Sequence, residues 1–273
     1  MLIKLKAAVI LLLYLATSAF ADVNVMCSSF PVYDFARAII KNSGHVRLLL
    51  RPGTEPHEFE PSAMDIKAIN DYDVFVYTGK YLEHWAEKIT RSINKDIIIV
   101  DASKNIELVN NDPHIWLDGI NASSMLMNIY MGIIQSDKLH ADYYSDNLRE
   151  YLTKLAELDG EFMILPKNKA VVFAGEFSLA YFLKRYGLDY ISAYDGENEP
   201  GARKIAQVIK YIQDKGIKYI FSDYEVSAIT RSIADQTGTE ILIFNTAHAA
   251  GENDDYLEIM TQNLENLKRA LND

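Results

Sequence analysis

The sequence predicts an α/β fold of two lobes, each a four-stranded parallel sheet covered by helices, joined by one long backbone helix. Three observations carry that prediction. Short apolar runs of strand length alternate with helical patterns along the chain, which marks parallel sheets built by crossover helices. The alternation breaks once, near the middle, where Leu148, Leu152, Leu155, Leu158 and Phe162 recur at spacings of four and three. Four strand-like runs precede that stretch and four follow it. The implied division is a leader over 1–21, a first lobe over 22–136, a linking helix over 137–165 and a second lobe over 166–273.

The leader has the three parts of a secretory signal peptide. Lys4 and Lys6 precede the apolar run from Ala7 to Ala16, and Ala19-Phe20-Ala21 offers a small-x-small cleavage site. A membrane span needs about 20 apolar residues, and this run is shorter. Cleavage is expected after Ala21, which makes the mature protein an exported one. No Cys stands near the cleavage point to suggest lipid attachment.

Residues 23–28 read as the first strand. Pro31 opens a helix with Val32, Phe35, Ala36, Ile39 and Ile40 on one face, ended by Asn42-Ser43-Gly44. Val46 to Leu50 is the second strand. Ser62 caps the next helix, with Asp65 three positions on, and Met64, Ile66, Ala68 and Ile69 lie within it. Val74 to Tyr77 is a strand, Tyr81 to Ile93 a helix and Ile97 to Val100 the fourth strand. After a loop from Asn105 to Asp118, Asn121 caps a helix that runs to about Gln135. The long helix follows.

The pattern then restarts. Lys169 to Phe173 is a strand, and Phe177 to Tyr186 a helix closed by Gly187. Tyr190 to Ala193 is a strand, and Ala202 to Lys215 a helix closed by Gly216. Tyr219 to Ser222 is a strand, followed by a helix to about Gln236 with Gly238 after it. Ile241 to Phe244 is the last strand, and Asp255 to Leu271 the last helix.

Composition narrows the function classes. With 273 residues and 49% hydrophobic content the chain can bury a large core. Its formal net charge is −11, and loss of the leader, which carries two Lys and no acid, makes it −13. That charge argues against nucleic acid or an anionic membrane surface as a partner and suits cationic ligands. The single cysteine, Cys27, lies in an apolar strand and reads as a buried, inert thiol.

Between the second strand and its helix lies Pro52-Gly53-Thr54-Glu55-Pro56-His57-Glu58-Phe59-Glu60-Pro61. Its prolines make a stiff loop around one imidazole, flanked by Glu55, Glu58 and Glu60. By itself the loop fits a preorganised ligand site and an ordinary surface loop equally well. In open parallel sheets, ligands bind beyond the carboxyl ends of the strands. His57 follows strand two and His114 strand four. Glu176 follows the first strand of the second lobe, and His248 follows its last. If the lobes face each other, these four can converge, and three imidazoles with one carboxylate suit a four-coordinate transition metal. His45 and His140 read as surface residues. His84 also follows a strand, but Trp85 beside it reads as a packed helix start.

These residues sit in stretches that together resemble one family. Pro56-His57-Glu58-Phe59-Glu60-Pro61-Ser62, Asp112-Pro113-His114-Ile115-Trp116-Leu117-Asp118 and Tyr181-Phe182-Leu183-Lys184-Arg185-Tyr186-Gly187-Leu188 are similar to the periplasmic substrate-binding proteins of zinc and manganese ABC transporters. Glu199-Pro200 and Gln262-Asn263-Leu264 add to the resemblance, which covers 24 to 271. It implies metal ligands at His57, His114 and Glu176. Many relatives place an Asp where Thr246 stands here, and relatives with an Ala-His pair in that loop point to His248, with Asp254 and Asp255 as alternatives. The His-rich loop of many zinc-specific relatives is absent, and Gly119 replaces a frequent Pro.

The implied function is capture of a divalent ion, zinc first and manganese next, for delivery to an ABC permease by a monomeric periplasmic protein. No catalysis is expected. Rival readings are a surface adhesin on the same fold and a zinc hydrolase. The hydrolase needs an open metal position and a base, and no His-Glu-x-x-His pair exists here. Three imidazoles favour zinc, and the carboxylate also admits manganese or iron.

Overall fold

The computed structural model describes residues 22–51, 54–93, 96–109, 111–175, 179–194, 200–223 and 225–272. The leader therefore lies outside the described residues, as do Glu176, Phe177 and Glu199.

The first lobe alternates strands and helices in the order β1 (Val23–Cys27), α1 (Phe30–Ile40), β2 (Gly44–Leu48), α2 (Ala63–Ile69), β3 (Val74–Tyr77), α3 (Ala86–Thr90) and β4 (Ile98–Asp101). A 3-10 turn, Ile115–Leu117, leads into α4 (Gly119–Ser136) and then α5 (Ala141–Met163). The second lobe follows with β5 (Val171–Phe173), α6 (Ala180–Tyr186), β6 (Tyr190–Ser192), α7 (Ala202–Lys215), β7 (Tyr219–Ser222), α8 (Ala228–Thr237), β8 (Glu240–Ile243) and α9 (Tyr256–Asn272). Both sheets are parallel and share one topology, β2-β1-β3-β4 and β6-β5-β7-β8. The loops leaving the carboxyl ends of β2, β4, β7 and β8 form the ligand edge that such a topology provides.

Local chemistry explains the element ends. Ser62 and Asp65 form the expected capping box, each satisfying the other's backbone N–H. Gly187 and Gly216 close α6 and α7 with φ of 60° and 63°, a left-handed conformation that favours glycine.

Some boundaries differ from the sequence reading. The cap of α4 is Asp118, whose Oδ1 accepts from Ile120 N and Asn121 N, so the helix begins earlier than a cap at Asn121 allows. Residues 80–85 turn instead of forming helix, because the Glu83 carboxylate bonds back to Thr78 N and Gly79 N. The linking helix starts at Ala141 instead of near 137, where Asp137 Oδ1 accepts from Leu139 N and His140 N. Met64, read within α2, is 81% exposed.

The helix α5 packs against α1 and α4 on one side and α6 and α9 on the other. One apolar cluster runs through this junction, joining Phe35 and Trp116 to Leu155, Phe162, Phe182, Phe244 and Leu264. Phe182 stacks edge-on against Phe162, Tyr186 and Phe244 at centroid distances of 5.3, 4.7 and 4.9 Å. Removing one such buried ring costs about 3–5 kcal/mol, so the junction is structural core and not a loose hinge. Smaller clusters fill the outer face of each sheet. Polar contacts fix the orientation: Arg185 of α6 grips Asp159 of α5, its Nε 2.6 Å from Oδ1, with Asp118 at 3.6 Å. Among the described residues no helix is long and apolar enough to cross a membrane.

Candidate metal centre

The first lobe brings its two candidate ligands together. His57, in the loop after β2, and His114, after β4, face each other with Nε2 atoms 3.4 Å apart. Two nitrogens on one tetrahedral zinc, each about 2.0–2.1 Å from the ion, are separated by about 3.3–3.4 Å. The pair therefore has the spacing of a tetrahedron edge.

Each ring is oriented from within its own loop. His114 is 8% exposed. Its Nδ1 lies 2.7 Å from Asp112 Oδ1, which also accepts from His114 N at 2.9 Å. An ionised carboxylate only accepts, so Nδ1 carries the proton and Nε2 keeps its lone pair. The 3-10 turn that follows buries Trp116 beside the imidazole, with ring centroids 5.2 Å apart. His57 is held by its backbone N–H, which donates to Glu55 Oε1 at 3.2 Å.

The second lobe contributes His248, after β8. Its ring centroid lies 6.3 Å from that of His114. Its Nδ1 is 2.5 Å from Thr246 Oγ1, and that hydroxyl reaches Asp223 Oδ2 at 3.5 Å. Its Nε2 faces Glu55 Oε2 across the cleft at 3.3 Å. The bond to His248 holds the Glu55 carboxyl down at about 2, against the opposing effect of partial burial. A proton on His248 Nε2, or a cation shared by the two atoms, makes that approach attractive.

The four sequence candidates thus divide. His57, His114 and His248 gather on one cleft, and Glu176 lies outside the described residues. Among the described residues no group of three or more His, Cys, Asp or Glu side chains stands ready to hold an ion as positioned. The alternatives Asp254 and Asp255 serve the backbone: Asp254 Oδ2 accepts from Gly251 N and Asp255 Oδ1 from Glu258 N. His84 is exposed in a turn, His45 is exposed beside Asp22, and His140 pairs with Asp137 at the start of α5. Cys27 is buried, and burial pushes its thiol well up.

Sequence reasoning missed three participants. Asp112 was visible two residues before His114, at a spacing that lets a carboxylate reach the ring of its neighbour. Asp223 directly follows β7, where the strand-end rule already pointed. Glu55 stood in the histidine loop but has its partner, His248, 193 positions away.

Comparison with known proteins identifies the family. The family model described as zinc-uptake complex component A periplasmic (ZnuA) matches residues 25–270. The high-affinity zinc uptake system protein ZnuA of Bacillus subtilis is 30% identical, over 91% of this chain and 87% of its own length. The zinc-binding protein AdcA of a Streptococcus pyogenes serotype M6 strain is also 30% identical over 90% of this chain, which spans only 55% of that longer relative. The crystal structure of the Zn(II)-bound ZnuA-like domain of Streptococcus pneumoniae AdcA superposes with a TM-score of 0.80 at 26% identity, covering 93% of this chain and all of that domain. The Bacillus subtilis relative is named for high-affinity zinc uptake and the Streptococcus pyogenes relative for binding zinc. The chain belongs to the family of zinc-uptake complex component A.

Proposed function

We propose that this protein captures a zinc ion between its lobes and delivers it to an ABC permease for uptake. The proposed ligands are His57, His114, Glu176 and His248. The observation that carries the reading is the 3.4 Å separation of His57 Nε2 and His114 Nε2, two rings from loops 57 residues apart. Asp112 behind His114, and Thr246 with Asp223 behind His248, supply the oriented hydrogen bonds that metal-bound histidines require. Zinc is the preferred cargo because imidazole donors dominate, and manganese is second because carboxylates are available. The relatives' zinc names support zinc as the cargo.

Export and architecture belong to the same proposal. Cleavage after Ala21 releases a monomer of two lobes, 22–136 and 166–273, joined by 137–165, into the periplasm. Elemental analysis of the exported protein, purified without added metal, tests the cargo: one equivalent of zinc is expected, and a metal-free or manganese-loaded protein contradicts the reading. Growth rescue of zinc-starved cells tests delivery. A protein that binds zinc but gives no rescue is an adhesin-type binder instead.

A further inference from the structure

The loop from 244 to 255 carries His248 and belongs to the second lobe, yet three of its backbone carbonyls accept hydrogen bonds from the first. At its start, Asn263 of α9 brackets Asn245, accepting from its N–H at 2.8 Å and donating to its carbonyl at 2.7 Å. Trp116 Nε1 then donates to Thr246 O at 2.7 Å from the first lobe. At the far end, Arg37 of α1 donates from Nη1 to Glu252 O at 2.9 Å and from Nη2 to Asp254 O at 2.6 Å. Both acceptors are backbone carbonyls, so the grip reads the path of the loop and not its side chains. Between these attachments run Ala247, His248, Ala249, Ala250 and Gly251, with Ala247 at a φ of 64°.

Arg37 is itself fixed in place. Its guanidinium pairs with Asp34 one turn earlier and lies over the Tyr33 ring at 5.5 Å. Asp34 is 2% exposed and also accepts from Tyr151 OH of α5 at 3.1 Å and from Tyr256 N of α9 at 3.3 Å. One buried carboxylate therefore joins α1, α5, the first residue of α9 and the arginine that holds the loop. A planar fork held this way grips two carbonyls without losing much side-chain freedom.

We propose that Arg37 is a positioning residue for zinc retention: by clasping the carbonyls of residues 252 and 254 to the first lobe, it keeps His248 over the cleft and slows release of the ion. The proposal rests on the reading of His248 as a ligand. Opening the clasp lets the loop carry His248 away from the His57–His114 pair, so the dissociation rate changes more than the association rate.

The test compares zinc release into excess chelator, by stopped flow, for the mature protein, Arg37→Lys, His248→Ala and the double variant. Lysine keeps a cation beside Asp34 but lacks the fork. Arg37→Lys is expected to release zinc about tenfold faster, the scale of lost outer-shell support. In the His248→Ala background the same change should alter release by less than about twofold, because residues acting through one another are not additive. A merely structural role would speed release equally in both backgrounds, and that result overturns the clasp alone. An unaltered release rate in Arg37→Lys also overturns it. If His248→Ala leaves zinc affinity intact, the ligand reading fails and the clasp fails with it. Hydrogen exchange of amides 247–254 gives a second reading, expected to quicken in Arg37→Lys. Unchanged exchange contradicts the proposal. Arg37→Gln serves in place of the lysine variant if that does not fold.

Discussion

His114 and His248 reach one cleft from opposite lobes, and each ring is steadied by the residue two positions before it. The chemistry of that support differs. His114 has the Asp112 carboxylate on Nδ1, within one short loop and almost out of solvent. His248 has the Thr246 hydroxyl, a neutral group backed by Asp223 at 3.5 Å, and the ring itself remains 16% exposed beside Glu55. A charged acceptor fixes the tautomer and raises the basicity of the opposite nitrogen more than a hydroxyl does. In the proposed site, the first lobe therefore supplies the more firmly oriented half. The second lobe adds His248, whose loop is hydrogen-bonded to Trp116 and Arg37 across the junction. On the proposed function, a receptor that holds and then surrenders its ion gains from that inequality, since one half can yield while the other stays built.

Substitutions can break or sharpen this contrast. The largest effect is expected from His57→Ala and His114→Ala. Each removes a nitrogen donor from the preformed pair and should lower zinc affinity more than about 100-fold, beyond the range for loss of an outer-shell partner. Competition titration against a chelator reads it. Asp112→Ala and Thr246→Val follow and test the inequality directly. Asp112→Ala should cost about 10–100-fold in zinc affinity, and Thr246→Val less than Asp112→Ala. Equal losses would mean that carboxylate and hydroxyl support the rings alike.

Much of this was legible in sequence because it is local. The strand–helix alternation gave the sheets, Ser62 and Asp65 announced a capping box three residues apart, and Gly187 and Gly216 marked helix ends through their freedom at positive φ. His57 and His114 were legible because strand ends set their edge of the sheet. What stayed hidden depends on distant partners. Glu83 delays the start of the helix expected over 81–93 by pairing with Ser28, 55 residues earlier, and with Thr78 and Gly79. Arg37 meets the histidine loop across 215 and 217 positions, a pairing that no periodicity encodes. Asp118 and Asn121 are both good caps, and only the observed N–H directions chose between them.

Two smaller effects probe the halves separately. Glu176→His exchanges an oxygen donor for a nitrogen one, so the ratio of zinc to manganese affinity should rise, because hard manganese favours oxygen. An unchanged ratio in competitive titration removes Glu176 from the ligand set. Glu83 tests the first lobe alone. Complete burial pushes its carboxyl up to about 7 from an ordinary value of 4.5. The folded state thus holds a proton that the unfolded state has already lost. Its contribution is full below about 4.5 and is lost as pH rises through about 7. Denaturant unfolding of Glu83→Gln should show a flatter fall in stability across that window than the parent protein. An identical slope would mean that Glu83 does not titrate there.

The central claim is that one zinc ion is held by both lobes at once. Anomalous diffraction at the zinc edge from zinc-loaded crystals tests it most directly. The account predicts a single peak about 2.0–2.1 Å from Nε2 of His57, His114 and His248. A peak bound to His57 and His114 with His248 turned away, or one lying outside the cleft, would contradict it.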